Sequence, residues 1–403
     1  MTIESKKTLR FTSGKNSEWL RCSCILGDSE EPAIYLETPC EYESRVSSRH
    51  DFLLVLAIHR LMEKGGVFYI DGSVDATLMR NLEEYSRIWS MWCPQLYKPV
   101  AFEAKPTPPF VRDHSTDETL VAFSGGVDAC FTLYGHEHRL FGASSRQVKT
   151  CIMLHGADIK LSQQAEFDTA FLKAKETLTP KGIELIPVRT NYRMHPGHNW
   201  EHCFFSVVAA GLMMFSERYA HASCGAELPI LPPLQIPWGM NYITDHLLFP
   251  SYFEIYQAGK AMGRTERCRH ISHDTALMKD LRVCWQHDAQ GGNCGVCEKC
   301  QRTMLNFMAA GYTGHLPFKS SFSLDHFKLG PLWDEERQAY YKDILSYNDN
   351  ISHALSGNIR QAIEERLLRS EQNKPLLRRR LCKAMICLAP IPSWRRKLRR
   401  KYL

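Results

Sequence analysis

Residues 119–318 alternate short apolar segments with helical stretches of a dozen or more residues. The apolar segments cover 120–123, 148–154, 184–188 and 219–223. Nearly continuous apolar strands are typical of a parallel sheet that helices cover on both faces, because such strands have no solvent-facing side. The alternation therefore predicts an α/β fold built on a doubly wound parallel sheet.

Two further sections flank this region. Residues 1–104 combine short alternating segments with two helical patterns, which predicts a small N-terminal α/β domain. Residues 105–118 begin with a proline-rich stretch and are predicted to be a linker, because proline keeps the preceding residues extended. The α/β domain with the predicted binding sites then covers 119–332. Residues 333–403 are predicted to form a helical C-terminal region that ends in a basic tail.

The tail explains the positive net charge of the chain. Residues 374–403 contain eleven Lys and Arg and no Asp or Glu, which leaves 39 basic and 44 acidic residues elsewhere, a net charge of −5. Any electrostatic footprint for nucleic acid would therefore lie in this tail. The apolar run 381–391 is too short to span a bilayer of about 30 Å but suits an interfacial position. Three alternatives remain for the role of the tail: it binds a membrane surface, it binds nucleic acid, or it is simply solvated. The membrane surface is slightly favoured.

Composition and cysteine usage predict a cytoplasmic protein. With 44% apolar and 23% charged residues, the chain has ordinary globular usage, which excludes disordered, collagen-like and coiled-coil classes. The first residues lack the apolar stretch of a secretory signal, so we do not expect export. Fifteen cysteines, four of them at metal-ligand spacing, fit a reducing compartment better than a disulfide scaffold. If the tail binds lipid, the protein would lie at the inner face of the membrane.

An apolar strand, the turn Ser124-Gly125-Gly126 and a helix that begins near Asp128 form the clearest binding signal. Two glycines let the backbone approach an anion with no β-carbon in the way. Successive backbone N–H groups and a helix N-terminus favour phosphate. The turn is predicted at the carboxyl end of the first parallel strand, where such sheets bind ligands. An ordinary turn is the alternative interpretation.

At residues 124–129 the chain resembles the PP-loop ATP pyrophosphatase family, whose loop reads Ser-Gly-Gly-x-Asp-Ser. The resemblance implies a HUP-like sheet, ATP cleaved between its α- and β-phosphates, Mg²⁺, and an adenylated substrate. It assigns the phosphates to one set of residues: Ser124, Gly125, Gly126, Val127, Asp128 and Ala129. It assigns the adenine and ribose to a second set: Leu154, His155, Gly156 and Asp158. Ala129 departs from the family pattern, because the last residue of the family loop is a serine that contributes a hydroxyl.

Four cysteines have the spacing of a structural metal site: Cys284, Cys294, Cys297 and Cys300. Two C-x-x-C spacings share Cys297, and the fourth thiol lies upstream with nine residues between. Zinc takes four thiolates at about 2.3 Å, and a filled shell leaves no open catalytic position. Buried cysteines without a metal are the alternative, but the small Gly295 inside the turn favours a metal. We therefore predict a structural Zn²⁺ in a C-terminal zinc knuckle.

Loop and cysteine cluster together look like 7-cyano-7-deazaguanine synthase and its relatives. The resemblance covers residues 119–311 and leaves the N-terminal section and the tail without a counterpart. It implies a basic side chain ahead of the cluster, and Arg264 would serve there at a phosphate. A solvated helix face is the alternative for Arg264. Arg193, which follows the third strand, could hold a carboxylate or phosphate, and with Asp128 these two arginines are the predicted catalytic residues.

The motifs predict an ATP-dependent ligase or amidating enzyme of the PP-loop type. It would adenylate a carbonyl or carboxylate oxygen of a small molecule or modified base, release pyrophosphate, and let ammonia or another nucleophile displace AMP. A nucleotide-binding regulatory module without turnover is the second interpretation, and Ala129 supports it. The third is a tRNA-modifying thiolase that holds tRNA on its tail and uses Cys224 as its reactive thiol.

Overall fold

The computed structural model describes residues 7–27, 33–112, 117–195, 197, 199–227, 237–284, 292–328 and 335–372. Within them one sheet contains these strands: β1 (Lys7–Lys15), β2 (Trp19–Leu26), β3 (Ile34–Pro39), β4 (Gly66–Asp71), β5 (Val100–Ala104), β6 (Glu118–Ala122), β7 (Gln147–His155), β8 (Glu184–Thr190), β9 (His221–Gly225) and β10 (Glu254–Ala258). Their order is β10-β9-β6-β7-β8-β3-β2-β1-β4-β5. The sheet is mostly parallel and helices flank it, which confirms the α/β class.

The described α-helices are α1 (Asp51–Lys64), α2 (Ala76–Trp92), α3 (Val127–Glu137), α4 (Gln164–Leu178), α5 (Trp200–Met213), α6 (Arg264–Ile271), α7 (Thr275–Lys279), α8 (Glu298–Ala309), α9 (Leu324–Lys328), α10 (Glu335–Tyr347) and α11 (Gly357–Gln372). Capping side chains and glycines fix the ends of several of these helices. The Asp75 carboxylate caps α2 by accepting from the amides of Thr77 and Leu78. Gly65 ends α1 with a φ of 66°, the left-handed region that glycine adopts readily.

The strands after residue 117 follow the order expected of a doubly wound sheet. From β6 the chain moves outward through β7 to β8 and then returns to β9 on the other side of β6, with all these pairs parallel. This reversal creates a topological switch point between β6 and β9. In open α/β sheets, ligands bind outside the carboxyl ends of the strands at such a point. Strands β6 to β9 match the predicted segments within two residues at each bound.

The N-terminal strands extend the same sheet. Strand β3 pairs antiparallel with β8, where Leu36 lies opposite Thr190. One apolar core includes Leu9 of the N-terminal section together with Ile186 of β8. The predicted domain division at residues 105–118 stays a prediction, and the structure adds that the strands on its two sides share one sheet and one core.

Helices α10 and α11 form the described part of the C-terminal region. They pack on α8 through a small core that includes Leu305, Tyr341 and Ile363. The predicted tail, 374–403, lies outside the described residues, so its alternatives stay open. Among the helices that the structure describes, none combines the length and the apolar character needed to cross a membrane.

Candidate anion site and metal centre

The Ser-Gly-Gly turn joins β6 to α3 at the switch point of the sheet. Gly125 has a φ of 75°, a left-handed conformation that favours glycine. Gly126 is the N-cap of α3 and has no side chain that could occupy the amides of the first turn. Its own amide donates a 3.4 Å hydrogen bond to Ser124 Oγ. Val127 and Ala129 are buried on the first turn. The turn and helix start therefore have the backbone geometry that suits an anion.

Arg282 braces this turn. Its backbone amide donates to the carbonyl oxygen of Gly125 at 2.8 Å. Its Nε and Nη2 donate to the carbonyl oxygen of Ser124 at 3.2 and 3.0 Å. Arg282 was not predicted from the sequence, and its one signal there is its position two residues before Cys284.

Asp128, in the first turn of α3, is held by two arginines of α6. Arg264 Nη2 lies 2.6 Å from Oδ2 and Arg267 Nη1 lies 2.7 Å from Oδ1. Burial raises the pKa of Asp128, but the charges of Arg264 and Arg267 outweigh it, so the pKa lies below its usual value. The structure thus brings together two of the predicted catalytic residues, Asp128 and Arg264, and adds Arg267, which was not predicted.

Arg267 connects α6 to the ends of the central strands. Only 1% of its surface is exposed. Besides Asp128, its guanidinium donates to three carbonyl oxygens, those of Ala226, Gly259 and Met262. Gly259 has a φ of 83°, and a β-carbon there would lie 2.7 Å from Arg267 Nε, so this glycine makes room for the guanidinium. Arg267 therefore fixes α6 beside the carboxyl ends of β9 and β10.

Two further charged residues, Glu227 and Lys299, lie near Asp128, and Asp158 lies near Glu227. Glu227 follows β9, and burial raises its pKa, with Lys299 and Arg264 opposing that shift and Asp158 adding to it. The charge of Lys299 also acts on Asp128. Asp158 is exposed in the loop after β7. The predicted ribose contact Asp158 therefore shares one charged cluster with the phosphate loop, together with Glu227 and Lys299, which the sequence analysis missed.

His155, a predicted adenine contact, lies fully inside the protein. Its side chain is 0% exposed and stacks on Phe167 with ring centroids 4.3 Å apart. Its Nε2 lies 2.9 Å from the carbonyl oxygen of Lys160. Burial lowers the pKa of His155, which favours the neutral imidazole. The His155 side chain thus supports the loop after β7 from inside, and any ligand contact of this residue would have to use its backbone.

Gly156 forms a tight turn after β7. Its φ is 97°, and a β-carbon there would collide with the carbonyl oxygen of Thr190. Leu154 is half-buried, whereas Asp158 is exposed. Arg193 belongs to this part of the sheet edge, because its Nη1 donates to the carbonyl oxygen of residue 157 at 2.7 Å. The structure therefore places the third predicted catalytic residue, Arg193, at the loop after β7.

The four thiols of the cysteine cluster all lie within 4.8 Å of one another. The Sγ–Sγ distances are 3.5 Å for Cys284–Cys294, 3.8 Å for Cys284–Cys297 and 3.9 Å for Cys294–Cys300. A tetrahedral zinc with bonds of about 2.3 Å requires sulfur atoms about 3.8 Å apart. The cluster could therefore hold a metal such as zinc.

Two residues shape the turn of this cluster. Gly295 has a φ of 76°, and a β-carbon there would collide with the backbone of Ser320. Asn293 Oδ1 accepts from the amides of Val283 and Cys284 at 2.8 and 3.1 Å. Its Nδ2 donates to two carbonyl oxygens on separate segments. Asn293 thereby joins the segment of the first cysteine to the segment of the other three, so the thiols converge without relying on the metal alone.

The cysteine cluster and the candidate anion site are built on the same segments. Cys284 lies two residues after Arg282, which braces the Ser124-Gly125-Gly126 turn. Helix α8 begins directly after Cys297 and carries Lys299, whose charge acts on Asp128. The conformation of the cysteine cluster therefore decides where two cations of the anion site lie.

Asp245 is a buried carboxyl group that should make the stability of the protein depend on pH. It is 4% exposed, and its Oδ2 accepts from Gln257 Nε2 at 2.6 Å. Burial raises the pKa of Asp245 to about 8. The folded state therefore loses stability as pH rises from the unfolded pKa through that value, because ionisation is unfavourable inside. We expect Asp245→Asn to raise Tm by an amount that grows between about pH 4 and 8 and levels off above that range, as measured by thermal denaturation.

Asp168→Asn is the control for this measurement, since Asp168 is exposed on α4. Its substitution should shift Tm by a similarly small amount across the pH range, because surface substitutions away from buried contacts usually change stability little. A Tm gain from Asp245→Asn that stayed constant across the pH range would contradict a protonated Asp245.

No protein-family model, curated protein or solved structure matches the chain. The PP-loop relationship therefore stays an expectation that rests on the motif at 124–129 and on the cysteine spacing. What bears on function is the site itself, where a glycine turn, a helix start and several buried cations meet at the switch point.

Proposed function

We propose that the protein binds ATP by its phosphates at residues 124–128 and adenylates a carbonyl or carboxylate substrate with release of pyrophosphate. The observation that carries this proposal is the left-handed Gly125 followed by the uncapped start of α3, at the switch point of the sheet. Helix N-termini and backbone amides bind phosphate in this geometry. The likeness of the loop to the PP-loop motif supports cleavage between the α- and β-phosphates.

Unused hydrogen-bond donors support an anionic ligand. Among the described residues, no acceptor is found for Nε of Arg264, Nε of Arg267 or Nη1 of Arg302, and all three side chains are buried. A buried donor without a partner costs about 1–3 kcal/mol. A phosphate or carboxylate that accepts from some of these groups would remove part of that cost on binding.

In the proposed reaction, a substrate oxygen attacks the α-phosphorus of ATP. The bond from that phosphorus to the bridging oxygen breaks, and pyrophosphate leaves with the electron pair. A nucleophile such as ammonia then attacks the activated carbon, and AMP departs. Loop amides and the cations Arg264 and Lys299 would stabilise the charge that develops on the phosphates. No covalent nucleophile is required of the chain.

Two metals belong to this proposal. Mg²⁺ would arrive with ATP and neutralise phosphate charge. Zinc would be held by the cluster Cys284, Cys294, Cys297 and Cys300, where four thiolates complete a tetrahedral shell and leave no position for substrate. We therefore assign the metal of the cysteine cluster a structural role.

Gly126→Ala tests the phosphate cradle without disturbing the fold. Gly126 has a φ of −80°, which alanine adopts, and a β-carbon there would meet only Ser124 Oγ at 3.4 Å and the Arg282 carbonyl oxygen at 3.5 Å. The methyl group would lie beside Ser124 Oγ at the turn where we propose that the phosphates approach the backbone. We expect an unchanged Tm and a loss of ATP affinity of tenfold or more, on the order of 1.4 kcal/mol, measured by titration calorimetry.

Pyrophosphate release separates the enzyme from its alternatives. Wild-type protein is incubated with ATP, Mg²⁺ and a panel of carboxylic acids, and pyrophosphate is assayed. Gly14→Ala is the control, because Gly14 has open space around it in β1, and it should match wild type. Unchanged ATP binding in Gly126→Ala would refute the cradle. ATP binding with no pyrophosphate from any acid would favour the regulatory module that Ala129 supports.

The thiolase alternative finds little support in the environment of Cys224. Its side chain is 4% exposed, and burial raises the pKa of the thiol to about 12. A reactive cysteine needs an accessible thiolate near neutral pH. The proposal for this chain therefore assigns Cys224 to the core.

A further inference from the structure

The helix that carries Arg264 and Arg267 is capped from the C-terminal region. Helix α6 begins after Gly263, which has no side chain to cap it. The carboxylate of Asp343 on α10 lies at this helix start instead, and the amides of Arg264 and Thr265 oppose the rise in its pKa that burial causes. A β-carbon on Gly263 would collide with that carboxylate, so the glycine creates the space in which Asp343 lies against the helix start.

Helix α10 also contacts the arginines themselves. Tyr340 is buried, and the guanidinium carbons of Arg302 and Arg264 lie 3.7 and 5.3 Å from its ring centroid. The neighbouring Tyr341 hydroxyl donates to Glu298 Oε1 at 3.1 Å. Helix α10 therefore joins α6, which supplies Arg264 and Arg267, to α8, which supplies Lys299 and Arg302.

We infer that Asp343 is a positioning residue of the anion site. By capping α6 from α10, it holds the first turn of that helix, and with it the orientation of Arg264 and Arg267 around Asp128. The first turn of a helix has amides that its own backbone cannot satisfy, and a capping carboxylate stabilises it. The C-terminal helices are thus part of the anion site, although they lie outside the motif resemblance. The ligand in this inference, a phosphate, rests on the proposed function.

A double-mutant cycle between Gly263 and Asp343 tests this directly. The φ of −66° at Gly263 suits alanine, but the added methyl group must displace the Asp343 carboxylate. We expect Gly263→Ala and Asp343→Ala each to weaken binding of pyrophosphate with Mg²⁺ by on the order of tenfold, equivalent to about 1.4 kcal/mol. The double variant should be no weaker than Asp343→Ala, because the methyl group then meets no carboxylate. Asp343→Asn should bind pyrophosphate more tightly than Asp343→Ala, since the asparagine Oδ1 can still accept a hydrogen bond from a backbone amide.

Asp75→Ala is the matched control. Asp75 caps α2 in the same way, through Thr77 and Leu78, but in the N-terminal section. Its loss should lower Tm at least as much, because Asp75 also accepts from the amide and hydroxyl of Ser251, and should leave pyrophosphate affinity unchanged. Full affinity in Asp343→Ala, or single effects that add in the double variant, would overturn the inference.

A spectroscopic measurement keeps the inference testable if the proposed function fails. The Nε–Hε NMR signals of Arg264 and Arg267, assigned with lysine variants, report the geometry of these side chains without any ligand. Asp343→Ala should shift both signals, and Asp75→Ala should shift neither. Wild-type protein that binds no pyrophosphate would refute the proposed function, whereas unmoved arginine signals in Asp343→Ala would refute the positioning role.

Discussion

One zinc ion per chain is the expected result of metal analysis on the purified protein, and its removal is expected to abolish ATP binding. Four thiols lie within 4.8 Å, so their thiolates would repel one another without a cation. Structural zinc contributes about 10–16 kcal/mol in isolated zinc-finger peptides. Even a third of that, at about 2–4 °C per kcal/mol, would lower Tm by roughly 10 °C.

The loss of ATP binding follows from the segments that the two sites share. Without metal, the hydrogen bonds of Asn293 are left to join the segment of Cys284 to that of the other three cysteines. We expect them to be too few to keep Arg282 braced against the carbonyl oxygens of Ser124 and Gly125. Lys299 would also leave its position near Asp128. Chelation followed by thermal denaturation and ATP titration measures both effects.

Cys297→Ser should reproduce the chelated state, because it removes one ligand of the cluster. Cys40→Ser is the control, since Cys40 is partly exposed and lies outside the cluster. It should keep both the zinc and the Tm of wild type. Protein that is stripped of metal but binds ATP with undiminished affinity would show that the cysteine cluster does not organise the anion site.

Arg267→Met is expected to destabilise the protein by about 3–5 kcal/mol, the usual cost of breaking a buried ion pair. The substitution leaves the Asp128 carboxylate with Arg264 as its remaining arginine partner. It also removes donors from three buried carbonyl oxygens. Urea denaturation at neutral pH measures the change in the free energy of unfolding.

The pH dependence of the same variant checks the cause. In wild type, the lowered pKa of Asp128 contributes stability above the unfolded pKa, and this contribution is lost as pH falls through the folded value. In Arg267→Met, the free energy of unfolding should fall less steeply as the pH is lowered. Arg80→Met, at an exposed position of α2, should change stability by less than about 0.5 kcal/mol. A cost for Arg267→Met as small as that of Arg80→Met would contradict the role of this pair.

The motifs that were predicted from sequence are local in the chain. The Ser124-Gly125-Gly126 turn needs only a buried strand, two glycines and a helix start within residues 120–129. Three of the four cysteines lie within residues 294–300, so a short turn brings their thiols together. Local backbone geometry decides such features, and a short sequence window contains all the residues that take part.

The residues that were missed depend on contacts between distant segments. Arg267 bonds Asp128 across 139 positions, and Arg282 bonds Ser124 across 158. No short window contains both members of these pairs. The same holds for Asp343, whose amide partners lie on a different helix. Arg264 could be named from its place ahead of the cysteines, but which arginines face Asp128 depends on how α6 packs against α3.

The amino-acid sequence alone determined the parallel strands β6 to β9, the glycine turn and the grouping of the four cysteines. Each of these features depends on residues that are close in the chain: a run of apolar residues, two adjacent glycines, or cysteines at metal-ligand spacing. Tertiary structure alone decided that the N-terminal strands join the same sheet through β3 and β8, and that Asp343 of α10 lies against the start of α6. Both are pairings of backbone groups across long stretches of chain. Any strand or helix end offers similar hydrogen-bonding groups, so only the packed fold selects the partners.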